Sequence, residues 1–307
     1  MKIPEFKIRT DLALEEREGL KEAAEEVSGV SFKKWEGKRS AAQITEVKVL
    51  NEHGAKALGK PMGSYLTLEA DKLLMPDEDF HSEVSDELAL LLKGLLKQKT
   101  GKNILVAGLG NQSVTPDSLG PRTVSNLCVS AEGLKAIAPG VMAQTGMETA
   151  RILLGIIKEV QPDLVIAIDA LAARSIHRLG TTIQVTDTGI HPGSGVGNHR
   201  HGLTRESLGV PVIAIGVPTV VGTAAIVHDT VSVLIQTLLE HAQTREIGGF
   251  LDQLDSDEQY RLICELLEPE FGQMYVTPPD IDQTIKAISY TISEAIHIAF
   301  LEGSKKG

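Results

Sequence analysis

Two aspartates carry the residue types and settings that hydrolytic chemistry needs. Asp169 lies within LVIAIDALA, residues 164–172, between Ile166, Ala167 and Ile168 on one side and Ala170 and Leu171 on the other. Burial in such surroundings disfavours the charged form of a carboxyl and raises its pKa. The competing reading is a structural aspartate at a strand end, bonded to loop amides. Asp117 lies in Thr115-Pro116-Asp117-Ser118. On local sequence it reads best as a helix N-cap, with Pro121 in the first turn. Its place just after an apolar strand gives it a second reading, facing Asp169. Two carboxyls held that close cannot both ionise freely, so one keeps a proton. The pair then offers a general base to activate water and a general acid for a leaving amine. Amide hydrolysis also needs a donor for the oxyanion. Backbone amides of residues 111–115 or 189–197, and the side chain of Asn111, are candidates.

Other motifs are weaker. GLGNQS matches a dinucleotide fingerprint at Gly108 and Gly110, but Ser113 replaces the third glycine and Pro116 interrupts the helix that would receive the pyrophosphate. In HPGSGVG a nucleophilic Ser194 would need glycine at 192, where Pro192 stands. His191, His199 and His201 could suggest a metal, yet no H-E-x-x-H is present and Arg200 divides two of them, as in a solvated loop. Cys128 follows Asn126 and Leu127 in what reads as an apolar helix, so burial is expected.

The elements that must position these groups follow from the apolar runs. Residues 104–110, 164–172 and 210–218 are short and continuously apolar, as strands of a helix-covered parallel sheet must be. Residues 181–187 give a shorter strand. Helical spacing begins at Met147, and residues 12–27 read as a helix capped by Thr10 or Asp11. AAQITEVKVL and SYLTLEA read as two strands around a glycine-rich turn, and the acidic run after Pro76 as a solvated loop or helix start. The last third is mostly helical. The expected fold is α/β, a central, largely parallel twisted sheet with helices on both faces. In such sheets ligands bind beyond the carboxyl ends of the strands, where Asp117, Asp169 and GVPTVVG fall.

The 307 residues leave room for one domain or two. A net charge of −11 argues against a nucleic-acid-binding surface, which needs clustered cations. Residues 207–228 are uncharged and long enough to cross a bilayer, but Gly209, Pro211, Gly216, Pro218 and Gly222 break them into strand, loop and helix start. No membrane association is expected. Cys128 and Cys264 are the only cysteines, and a reducing, intracellular compartment is the default.

GLGNQSVTPDSLGP, AIAPGVMAQTGMET, PDLVIAIDALAARSI, TDTGIHPGSGVGN and GVPVIAIGVPTVV together resemble the germination proteases of endospore-forming bacteria. These endopeptidases degrade small acid-soluble spore proteins on germination. The resemblance implies a zymogen with an N-terminal propeptide, residues 1–11, and a single α/β endopeptidase domain, residues 12–307. The cut would fall between Asp11 and Leu12 in TDLALE. The family's proposed catalytic aspartates, in V-T-P-D and A-I-D-A-L-A, fall on Asp117 and Asp169. Asn111, Thr115, His191 and Gly193 are candidate supports of that site. The resemblance further implies a homotetramer, a fold similar to hydrogenase maturation endopeptidases, and residence in the cytoplasm of the forespore and spore core; no metal is established for the family, and no cofactor is assigned. Residues 127–136 and 241–257 are short beside better-known members, which bears on oligomer contacts. Two other classes stay open: a nickel- or zinc-dependent maturation endopeptidase, which chelators would silence, and a non-enzymatic spore protein, which would leave the small acid-soluble proteins intact.

Overall fold

The structure is a computed structural model that describes residues 10–20, 28–96, 103–129, 133–193, 201–241, 243–251, 253–254 and 256–300. Helix α1 (Ala13–Leu20) precedes strands β1 (Val30–Glu36) and β2 (Gln43–Val49), helix α2 (Glu52–Leu58), strand β3 (Gly63–Glu69) and helix α3 (Glu78–Leu95). Strand β4 (Ile104–Gly108), α4 (Leu119–Asn126), β5 (Leu134–Ile137), α5 (Met142–Thr145), α6 (Thr149–Val160) and β6 (Leu164–Ala173) come next. Then follow β7 (Thr182–Thr186), α7 (Arg205–Leu208), β8 (Val212–Gly222), α8 (Thr223–Glu240), α9 (Arg245–Leu251), α10 (Ser256–Phe271), β9 (Tyr275–Val276) and α11 (Ile281–Phe300).

The sheet runs β1-β2-β3-β7-β8-β6-β4-β5, with β9 on the end of β8. The expected α/β architecture is present, and its parallel part is the run β8-β6-β4-β5. The other half is antiparallel, from β8 through β7 and β3 to β2 and β1. The antiparallel half lacks βαβ crossovers, and β1 carries exposed lysines as a partly solvated edge strand does. Alternation along β6 sends Leu164, Ile166 and Ile168 to a core under α3 and α11, and Val165 and Ala167 to a core under α6. Helices therefore cover both faces.

Several expectations change. The connection between β2 and β3 is not a simple turn but contains α2, started by the Asn51 side chain accepting the Gly54 N–H at 2.9 Å and ended by Gly59 in the left-handed region. Strand β8 does not break at Pro218. The proline sits where the register with β6 shifts between Leu171 and Ala172, a bulge that tolerates a missing N–H. Asp169 is not at a strand end, because β6 continues to Ala173. Asp117 does not cap α4. It closes a 3-10 turn, Thr115–Asp117, and Ser118 precedes the helix. Cys128 lies past the end of α4 and is exposed, its N–H donating to His297 Nε2 at 3.0 Å. The acidic run after Pro76 does start a helix: Asp77 accepts the Phe80 N–H at 3.0 Å. Helix α1 is described to Leu20; the rest of the expected helix lies outside the described residues.

Candidate active site

Strand β4 stops at Gly108, opposite Ile168, and the Leu109 N–H closes the pairing on the Ile168 carbonyl at 2.8 Å. From Asp169 onward β6 has lost that neighbour, which opens a cleft beyond the end of β4. The chain order makes this a switch point: β4 leads to β5 on one side, and β5 leads to β6 on the other. Gly110, with φ +106°, turns the chain back so tightly that a Cβ there would lie 2.1 Å from the Asp117 carbonyl oxygen. Helix α4 then packs through Gly120 on the end of β4 and on Ile168 of β6. Asp117 is thereby brought to the mouth of the cleft, its Oδ2 accepting the Asn111 N–H at 2.7 Å. Asp169 is 5% exposed, and its Oδ1 accepts the Ala170 N–H at 3.0 Å.

Asp117 and Asp169 line one cleft of about 610 Å³, together with Gly193, Thr149, Thr219, Tyr275 and Thr277. A third acid, Asp11, lines it as well. Asp11 takes up the β6 backbone that β4 has left: its N–H donates to the Ala172 carbonyl at 3.1 Å, and its carboxylate accepts the Ala172 N–H at 3.0 Å. Next to it Leu12 is fully buried among Leu171, Ala173, Leu179, Val221 and Ala225. Burial of one such side chain stabilises its placement by about 1.5–3 kcal/mol. Ala13 and Leu14 enter a second apolar cluster over β2 and β3.

Glu15 anchors the far end of this segment. Its carboxylate accepts the Arg174 N–H at 2.8 Å, the Ser175 N–H at 3.0 Å and the Thr10 hydroxyl, and lies 3.4 Å from Arg178 Nε. Burial pushes the Glu15 carboxyl up, and these donors pull it part of the way back. Arg178 also pairs with Glu18 at 2.7 Å and Glu69 at 3.2 Å, and burial pushes Glu69 up too.

A smaller hollow, about 60 Å³, adjoins the cleft and shares Asp11 and Leu171 with it. Lys60, Tyr65, Gln184 and His191 line it. The sequence-predicted residues thus divide. Asp11, Asp117, Asp169 and Gly193 line the cleft; Asn111 touches Asp117 through its backbone; Thr115 starts the turn without lining the cleft; His191 belongs to the smaller hollow. Ser194 and His199 lie outside the described residues, and at the surface the Glu148 carboxylate accepts from the His201 backbone N–H at 3.2 Å and from its Nδ1. Among the described residues no three metal-ligand side chains cluster. Lys60, Gln184, Thr149 and Thr277 went unnoticed in the sequence because no local pattern marks them; only the mixed topology brings them here.

The sequence model of the germination protease family matches residues 8–246. The chain belongs to this peptidase family. It is 48% identical to the germination protease of Caldanaerobacter subterraneus subsp. tengcongensis, over 96% of this chain and 95% of that one. It is 41% identical to that of Clostridium tetani, over 95% of each chain. Among solved structures, a [NiFe] hydrogenase maturation protease, HycI from Thermococcus kodakarensis, aligns at 22% identity with a TM-score of 0.31, over 42% of this chain and 80% of that one. No helix among the described residues is long and apolar enough to cross a membrane.

Proposed function

We propose that this chain is an endopeptidase that begins the degradation of small acid-soluble spore proteins during germination, with Asp117 and Asp169 as its acid–base pair. The observation that carries this reading is that three acids, from residues 11, 117 and 169, line one cleft. Asp11 precedes the bond to be cut, so the segment at residues 10–15 acts as a tethered substrate. One aspartate takes a proton from water, whose oxygen adds to the scissile carbonyl carbon. The other gives a proton to the departing nitrogen as the C–N bond breaks. Water is the only co-reactant. Substrates would resemble TDLALE, with an acid before the cut and an apolar residue after it, because Asp11 is held on Ala172 and Leu12 in an apolar pocket.

In this reading residues 1–11 are a removable leader and residues 12–307 one α/β domain. Tethering gives the leader a millimolar-scale effective concentration, so weak docking suffices to occupy the cleft. The working assembly is a homotetramer in the cytoplasm of the forespore and spore core, with neither nucleic acid nor membrane as a direct partner.

The test is cleavage by the Asp117→Asn and Asp169→Asn chains, following both release of residues 1–11 and loss of a small acid-soluble spore protein. Each variant is expected to be slower by about 10²–10⁴-fold. Near-parental turnover in either one would overturn the pair. Loss of parental activity on chelation would favour a metal-dependent reaction instead.

A further inference from the structure

If the bond between Asp11 and Leu12 is cut, negative charge gathers on the Asp11 carbonyl oxygen. That oxygen already meets two side-chain donors, Lys60 Nζ at 3.1 Å and Gln184 Nε2 at 3.4 Å. Gln184 comes from β7 and Lys60 from the connection between α2 and β3, and both line the smaller hollow rather than the cleft of the aspartates.

Each donor also bonds a neighbour of Asp11 in the same segment. Gln184 sits in β7 opposite Gly216 and is 6% exposed. Its Oε1 accepts the Ala13 N–H at 2.8 Å, which turns the amide so that Nε2 faces the Asp11 carbonyl. Lys60 follows the left-handed Gly59 that ends α2 and precedes Pro61, whose carbonyl accepts the Tyr65 hydroxyl at 2.9 Å. Burial pushes the Tyr65 phenol up to about 12. Lys60 Nζ also bonds the Thr10 carbonyl at 3.2 Å, which fixes it over two successive peptide groups.

We infer that Lys60 and Gln184 form the oxyanion-binding pair of the reaction; this rests on the cut between Asp11 and Leu12 proposed above. Water adds from the side of the aspartate cleft, and the carbonyl π electrons move onto oxygen, where an ammonium and an amide N–H receive them. The C–N bond then breaks as the oxygen reforms its double bond and the Leu12 nitrogen takes a proton. Preset donors are most valuable where charge develops, and removing one typically costs about 10²–10³-fold in rate.

The experiment follows first-order self-cleavage of the full chain as Lys60→Met, Lys60→Arg and Gln184→Glu, with Asp117→Asn beside them. Hydrogen exchange at the Asp11 and Ala172 amides reports whether the segment stays docked. Lys60→Met is expected to cut about 10²–10³-fold more slowly with both amides still protected. Lys60→Arg is expected to regain part of the rate. Gln184→Glu keeps an acceptor for Ala13 but presents a carboxylate to the oxyanion, and is expected to lose at least as much as Lys60→Met. Rates within about threefold of the parent, or slowing matched by equal loss of amide protection, would overturn the inference; the latter would make Lys60 a docking contact only. If Asp117→Asn is inactive while Lys60→Met is not, this inference falls alone. If the parent does not cut itself between residues 11 and 12, the leader reading falls and takes this inference with it.

Discussion

Gly120 offers the sharpest way to separate the stability of this fold from the placement of its acids. It lies in the first turn of α4, where the helix touches the end of β4 and the middle of β6. A Cβ at this position would sit 2.4 Å from both the nitrogen and the oxygen of Leu109 and 2.6 Å from the Ile168 oxygen. Ordinary contact begins at 3.4 Å, so α4 must retreat by about 1 Å. All three atoms are backbone and cannot rotate aside. Helix propensity alone would make Gly120→Ala stabilising by about 1 kcal/mol. Overpacking of this kind costs about 1–3 kcal/mol, so the net change is a loss of up to about 2 kcal/mol. The functional effect is larger. Asp117, a reacting group in the mechanism proposed above, sits three residues ahead in the turn that feeds α4 and moves with it, and misplacing such a group by about 1 Å can cost on the order of 100-fold in rate. Gly155→Ala in α6 is the control, because a Cβ there meets nothing within 4 Å. It should gain up to about 1 kcal/mol and keep full turnover. Thermal unfolding and the rate of cleavage between residues 11 and 12 read both effects. Parental stability and turnover in Gly120→Ala would refute the claim that glycine is required at this contact.

Three further outcomes follow from the anchors of the N-terminal segment and from the thiols. Burial raises the Glu15 and Glu69 carboxyls in the folded chain, so the stability they contribute is full below their ordinary value of 4.5 and declines as pH rises through the raised values. Glu15→Gln should therefore flatten the fall in urea midpoint from pH 4.5 upward, and an unchanged slope would remove Glu15 from the effect. Arg178→Met strips the shared partner from Glu15, Glu18 and Glu69. Breaking a buried pair costs about 3–5 kcal/mol, and partial exposure of Glu18 and Glu69 should reduce this to about 2 kcal/mol at pH 7, less at pH 5. Equal losses at both pH values would contradict the charge argument. A thiol reagent should label Cys128 in the folded chain and Cys264 only on unfolding; the reverse order would contradict their placement.

The parallel half of the sheet was legible because β4, β6 and β8 are buried on both faces and show it as unbroken apolar runs. The antiparallel half was harder to read. Strand β1, SFKKWE in large part, carries charges along a partly solvated edge and was not recognised. Proline signalled a break at residue 218, yet a bulge absorbs it. That Asp117 and Asp169 would lie at one cleft was legible from their neighbours, although the reasoning about Asp169 needed amending: β6 does not end there, but its neighbour β4 does. Lys60 and Gln184 lay beyond sequence reasoning, since their proximity to Asp11 depends on how the two halves of the sheet join.

The backbone bonds of residues 10–15 reach far along the chain. Asp11 joins Ala172, 161 residues later, and Ala13 joins Gln184, 171 residues later. A ribosome adding about 5–20 residues per second takes roughly 10–30 s to deliver those partners. Throughout that interval the N-terminal segment has emerged while its dock does not yet exist, and the cleft that needs β6 is equally unmade. If the chain cuts itself as proposed, the distance in sequence between junction and dock acts as a delay, postponing that cut until most of the fold has been synthesised.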